Sequence, residues 1–390
     1  MNRTIFSRSF VLAFFSQMGA SFSTALLIPT LPIYLSKTGA KEAEIGILIG
    51  VYSVTALAGR PFVGKALLRH PEKRFMMAGT LIYLLCSLAY LAAGSFFPLF
   101  VVRVFQGAGL ACFSTAAFTF VTRIAPEAHR GQSLGYFYVS FNFSTAVAPA
   151  LGMVIINRFD FNVLFLVCAG ISLVALSLVL RLETSETTPL SDPAGKGQSF
   201  LNREALPPSI ISAIGSILWG AITAFFPLFA VSHGVANPGY FFAAFAFTLV
   251  AVRVFGGKMF DIAAREKVIL PCLGFMVISM VVLAFSTTLP FFILGAVLWG
   301  TGSAYFYPTM LLYAVERAGP SQRGPAAGTY TALGDFGAGL GSVIMGIVLE
   351  LSSYRTMFLC LAFSGVLNAF LFYFFTVHPR LPTVKGFSSK

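Results

Sequence analysis

Two stretches of the chain, 193 residues apart, read nearly alike: Arg60-Pro-Phe-Val-Gly64-Lys65 and Arg253-Val-Phe-Gly-Gly257-Lys258. The same offset carries Gly107 and Gly109 onto Gly300 and Gly302. It also carries Arg130-Gly131 and Gly135 onto Arg323-Gly324 and Gly328. One matched pair is chance, whereas a constant offset with no gap is a duplicated half. The chain must therefore fold as two copies of one unit.

Composition decides what the unit is built for. Hydrophobic residues make up 57%, with 36 glycines outside that figure, and charged residues only 10%. Soluble domains carry about 25% charge, so this chain lacks the polar cover that a soluble core needs. Apolar runs recur at lengths that cross a bilayer as helix, about 20 residues each. Twelve spans are expected, at roughly 6–35, 43–66, 74–94, 98–122, 131–156 and 161–182, then 208–232, 239–260, 268–287, 290–315, 325–350 and 355–377. Barrel strands are excluded, because they alternate polar and apolar over about ten residues. The expected fold class is thus all-α membrane protein, with a bundle of six helices over 1–182 and another over 207–390. Residues 183–206, rich in Ser, Thr, Pro, Gly and charge, read as a cytoplasmic linker.

A net charge of +12 could suggest a nucleic-acid partner, but the charge is dispersed. With a cytoplasmic N-terminus, Lys37, Lys41, Arg158 and Arg355 are the basic residues of the outer loops. Arg60, Arg103 and Arg253 lie within spans, and the remaining basic residues fall on the inner side. This is the positive-inside rule, and it leaves no basic patch for nucleic acid. Both termini are expected in the cytoplasm, and the protein in the inner membrane of a prokaryote. Cys86, Cys112, Cys168, Cys272 and Cys360 all fall inside spans without a close pair, against disulfide and metal readings. The first apolar run continues to Tyr34 without a convincing cleavage site and reads as a retained span.

With these residues in view, the chain resembles the major facilitator superfamily of secondary transporters, in its twelve-span, drug:proton antiporter-like form. The signature G-x-x-x-D-R-x-G-R-[RK] after the second span is met by Gly64 and Arg69, with Arg74 one place beyond its end. It departs at Leu68, where the family has aspartate, and at Pro71. The second half keeps the acid, in Gly257-Lys258-Met259-Phe260-Asp261. R-x-x-Q-G-x-G is met by Arg103, Gln106, Gly107 and Gly109; the antiporter signature G-x-x-x-G-P-x-x-G only partly, by Ser144, Ala148, Pro149 and Gly152. The resemblance implies two bundles rocking about a central site. Arg60, Gly64, Arg69, Arg74, Arg253, Gly257 and Asp261 would form latches that break as the halves move. The plainer alternative is that the loop cations only mark the inner side.

Of 14 carboxylates, Asp335 alone sits deep in an expected span. An acid at that depth costs roughly 2.5–3.5 kcal/mol on insertion scales, and such residues usually face a cavity and act there. It suits a group that takes up and releases a proton; permanent pairing with an arginine, or hydrogen bonding to the glycine-rich backbone, is the structural alternative. Its offset mate is the uncharged Asn142. Arg103, whose own mate is Ala296, is the expected opposite charge, and the resemblance associates it with proton-coupled exchange. Helical spacing groups Gln17, Ser21 and Thr24; Ser212, Ser216, Trp219 and Thr223; Tyr138, Asn142 and Thr145; and Trp299 with Ser303. With Gln106 these sketch a cavity, although such polar stripes equally glue helices together.

Walker, G-x-S-x-G and H-E-x-x-H motifs are absent, and the four histidines lack ligand spacing, so an enzyme is not expected. No cofactor is implied. The expected partners are lipid, a small-molecule substrate and protons, with the protein acting as a monomer. The expectation is a proton-coupled exporter of small organic or amphipathic molecules. The alternatives are a selective carrier or uniporter for a siderophore, lipid or metabolite, and a non-transporting receptor on the same fold.

Overall fold

In a computed structural model the described residues, 6–126, 129–183, 202–262, 265–319 and 322–377, form twelve α-helices. They are α1 (Arg8–Lys37), α2 (Glu42–Leu67), α3 (Glu72–Ala89), α4 (Phe96–Ile124), α5 (Arg130–Arg158) and α6 (Phe161–Leu180). The second set is α7 (Leu206–Ser232), α8 (Gly239–Ile262), α9 (Arg265–Phe285), α10 (Leu289–Arg317), α11 (Arg323–Leu351) and α12 (Tyr354–Val377). Lipid offers the backbone no hydrogen bonds, so an apolar run of this length satisfies itself as helix.

Among the described residues ten of these helices are long and apolar enough to cross a membrane. The two that depart from the expected twelve spans do so for separate reasons. The 18-residue α3 opens on Glu72, Lys73 and Arg74 and so has no stretch of that length nearly free of charge. At 1.5 Å per residue it still reaches about 27 Å. The apolar stretch of α8 is the shorter Gly239–Phe255, and the side chains of 256–262 lie outside the described residues.

The duplication is visible in the packing. In the first half α1 packs on α5 and α6, α2 on α4, and α3 on α4 and α6. The second half repeats this order, with α7 on α11 and α12, α8 on α10, and α9 on α10 and α12. The matched glycines explain why. A Cβ on Gly107 would strike the Tyr52 carbonyl and stand 2.9 Å from Thr55 Cβ of α2; one on Gly300 would stand 2.8 Å from the Phe245 carbonyl and 3.0 Å from Thr248 Cβ of α8. Only glycine lets these backbones approach so closely. Each half's first helix also ends alike. Gly39 and Gly234 take φ of 87° and 78°, and the next N–H reaches back to Leu35 and Ala230. Most of the expected linker, residues 184–201, lies outside the described residues.

The halves meet chiefly through α2 on α11 and α5 on α8. Contact concentrates at the face where α1 ends and α2 begins, called here the opposite face. There a Cβ on Gly50 would stand 2.7 Å from the Gly339 carbonyl, and one on Gly346 2.7 Å from the Glu42 carbonyl. Gly46 packs on Ser342, and Gly239 on Pro149 and Ala150. Toward the basic face, where α1 begins, the same helices have no such contact among the described residues: none of them stands within 4 Å of a Cβ built on Gly64 of α2, Gly131 or Gly135 of α5, or Gly324 or Gly328 of α11. The bundle is closed at the opposite face and open at the basic one.

Val in place of Gly107 or of Gly300 forces apart corresponding helix pairs, and overpacking of this kind costs about 1–3 kcal/mol. Both variants should lower the thermal unfolding temperature in detergent to a similar extent. A loss at one position alone would break the equivalence of the halves.

Candidate functional site

The deep acid lies where the closed and open parts of the bundle meet. Asp335 stands near the middle of the 29-residue α11. Its Oδ2 pairs with Nη1 of Arg60, which comes from α2 in the other half. The two side chains are 31% and 26% exposed, so the pair borders open space rather than sealed core. Tyr138 on α5 and Tyr52 on α2 lie within the field of both charges, and Tyr138 is half exposed. One turn along α5, Asn142 is half-buried. Ser216 of α7 abuts Gly334, the residue before the acid, 3.7 Å from a Cβ built there. A pairing partner is one condition under which a membrane tolerates a carboxylate, and Asp335 has one in Arg60.

Arg103, the expected partner, is fixed elsewhere. Its Nε donates to the Leu48 carbonyl at 2.8 Å, Nη2 to the Ile49 carbonyl at 3.2 Å and Nη1 to Gln106 Oε1 at 2.7 Å. Its guanidinium sits 4.5 Å from the centroid of the Tyr52 ring, a cation–π contact. Tyr90 Oη donates to the same Gln106 oxygen at 2.9 Å. Because Gly107 brings α4 against α2, the planar fork meets α2's carbonyls and is spent on them. Arg103, Gln106 and Gly107 thus bind α2, α3 and α4 into one block, and Arg103 is 7% exposed.

The other expected residues divide between cavity side and core. Gln17 Nε2 donates to Ser21 Oγ at 2.8 Å, leaving Gln17 Oε1 without a partner. Thr24 and Thr223 return their hydroxyls to their own helices. Trp299 and Ser303 are fully buried. Trp299 packs 4.3 Å from Phe245 and 5.5 Å from Trp219, between ring centroids, so it belongs to the second-half core and lines no cavity. Arg253, expected at the contact between halves, donates to the Ala304 carbonyl of α10 in its own half, at 3.0 Å. Arg69 and Arg74 are exposed on the basic face. The side chain of Asp261 and the surroundings of Gly257 lie outside the described residues.

Three features were not anticipated from sequence. The first is Arg60 as the partner of Asp335: spacing marks both as intramembrane charges but does not say which arginine crosses between halves. The second is Glu72, four residues beyond Leu68, whose Oε2 meets Arg123 Nη2 at 2.8 Å and ties α3 to α4. The third is Tyr330, which donates to the Tyr307 carbonyl at 2.7 Å. Beside it Tyr307 lies against Ser216, and Tyr330 itself against Ser212, so polar side chains of α7, α10 and α11 meet here.

Arg103→Gln should cost about 3 kcal/mol or more of stability, since hydrogen bonds from a buried charge contribute about 1.5–3 kcal/mol each. Asp335→Asn should cost much less. Thermal unfolding of the two purified variants separates the structural arginine from the acid at the cavity.

Comparison with known proteins gives this geometry its context. The staphylopine export protein of Staphylococcus aureus is 28% identical over 351 residues, covering 86% of this chain and 88% of its own. Multidrug resistance protein MdtL of Escherichia coli is 29% identical over 211 residues, about half of each chain. Among solved structures, the nucleoside transporter NupG superposes with a TM-score of 0.76 at 14% identity, covering 95% of this chain and 98% of that one. A POT family transporter in complex with a thioalcohol-conjugated peptide does so with a TM-score of 0.79 at 13% identity, covering 95% and 96%. At such identities the superpositions speak for the fold alone. The model of the Major Facilitator Superfamily matches residues 13–252 and again 210–390, taking in both halves of the duplication, and the chain belongs to that superfamily.

Proposed function

We propose that this secondary transporter exports small organic or amphipathic molecules in exchange for protons, from the inner membrane of a prokaryote, with its basic face in the cytoplasm. The observation that carries the proposal is the Arg60–Asp335 pair, which joins the halves where the closed and open parts of the bundle meet. Proton and substrate would alternate at this acid. With the basic face open and Asp335 ionised, Arg60 holds α2 against α11 and the cavity loads from the cytoplasm. Substrate and rocking break the pair, the site opens outward, and a proton takes the carboxylate as substrate leaves. The return then carries the proton in. Protonation thereby changes an attraction between the halves, as a ligand that shifts a two-state equilibrium must. Arg103 supports this by keeping α2 rigid. The name of the S. aureus relative supports export, and the asymmetry of basic residues supports the orientation.

A second reading, a selective carrier, also has an observation behind it. A relative that aligns over most of the chain is named for one exported molecule, while the multidrug resistance protein MdtL aligns over about half.

In proteoliposomes holding a pH-sensitive dye, a panel of lipophilic cations and amphipaths should release protons in wild type and not in Asp335→Asn. Arg60→Gln should leave substrate binding measurable but reduce coupled flux by at least about tenfold, the effect of losing an interaction of about 1.4 kcal/mol. Substrate movement without protons in wild type would instead favour the uniporter. A response to one solute in the whole panel would favour the selective carrier.

A further inference from the structure

Charges that only hold helices together are buried and committed within their own bundle. The Glu72–Arg123 pair has that character: both residues belong to the first half, and its acid is 4% exposed. Arg103 and Arg253, the other arginines expected within spans, are likewise committed, donating to carbonyls of their own half. Arg60 and Asp335 differ on each count. They come from different halves, and their side chains are 26% and 31% exposed. Among the described residues these side chains make no further hydrogen bond or ion pair. A guanidinium carries five N–H donors and a carboxylate accepts at two oxygens. The single pairing of Nη1 with Oδ2 therefore leaves most of both groups unfilled.

Tyr138 shows what the unfilled sides face. It stands on α5, which packs chiefly on α1 and α8 rather than on α2 or α11. It nevertheless lies within the field of both Arg60 and Asp335, and it is half exposed. It therefore looks at the pair across the space that these helices leave between them. Its ring offers a face to an ammonium group, and its hydroxyl offers a hydrogen bond. The neighbouring polar side chain on α5, Asn142, carries no charge. One cation and one anion thus stand side by side, each with capacity to spare, beside neutral polar groups.

We propose that the solute taken by this site is a zwitterion, carrying a carboxylate for Arg60 and a protonated amine for Asp335 on one small skeleton. The inference rests on the reading of this pair as the acting site, and narrows its substrate class. A lone cation would take Asp335 and strand Arg60, and a lone anion would do the reverse; an unpaired charge at this depth is costly. A zwitterion satisfies both at once and exchanges one ion pair for two. It also unties α2 from α11 without leaving either charge bare, which is what rocking of the halves requires. Selectivity then follows from the same contact that joins the halves, because only a solute with both charges favours the state in which they part.

Three probes of one skeleton test this on the purified full chain: phenylalanine as zwitterion, phenethylamine as cation and hydrocinnamate as anion. Each is titrated by isothermal calorimetry at neutral pH and constant ionic strength. Wild type should bind the zwitterion at least about tenfold more tightly than either singly charged probe, the effect of one additional charge-assisted contact. In Arg60→Gln the order should invert in favour of the cation, since Asp335 is left without its partner. In Asp335→Asn it should invert in favour of the anion. A merely structural pair would shift all three probes alike. The double variant Arg60→Asp, Asp335→Arg should restore the preference for the zwitterion, which can bind turned about. Equal affinities in wild type, no saturable binding of the zwitterion, or an unchanged order in both single variants overturns the proposal. The titration needs no gradient, so its outcome is separate from proton exchange. A zwitterion preference without proton release would defeat the antiport and leave this inference standing; proton release driven equally by all three probes would do the opposite.

Discussion

The close approach of backbone to backbone along α11 is the constraint on which the rest depends. Gly337 and Gly341 let α11 sink against α7 of its own half, while Gly339 and Gly346 let it touch α2 of the other. One helix is therefore pressed from two sides with little side chain between. That leaves the Asp335 carboxylate at a level where α2 can present Arg60. Larger residues in these rows would move the acid out of reach whatever its own identity. A charge at this depth without a close seam would be an expensive group with no task.

The same economy organises the first half around Arg103. It is as deep in the membrane as a functional charge would be, and from sequence the two cases look alike. What separates them is the direction of the guanidinium. Held by two α2 carbonyls and Gln106, it serves as a brace. Arg60, with its partner across the seam, is free to lose that partner. The second half has alanine at the equivalent of Arg103 and fills the place with aromatic packing around Trp299 instead. Two copies of one unit have thus solved the same packing problem with different chemistry.

Much of the fold was legible because the membrane reduces the problem to length and polarity. The second span, expected at 43–66, is the helix Glu42–Leu67, and the depth of Asp335 follows from counting along α11. The third span, expected at 74–94, runs Glu72–Ala89, since apolar composition marks membrane immersion but not where the last turn unwinds. Pairing between halves was not legible. The offset of 193 relates equivalent positions but does not say which positions face each other across the seam; Arg60 meets Asp335 because α2 of one half packs on α11 of the other, which only the assembled bundle determines. Trp299 misled for a related reason: helical spacing places a residue on a face but does not say whether that face looks to the cavity or to a neighbouring helix.

The seam of α2 against α11 has a kinetic consequence. Glycine Cα atoms set against carbonyl oxygens offer few rotamers to reset and no long side chains to disentangle, so parting them trades contact area for solvation with little reorganisation on the way. Such a joint behaves as a smooth bearing rather than a zipper. Its resistance comes from the few polar pins set into it, and substitutions at those pins can tune the rate of rocking without remaking the surface that slides.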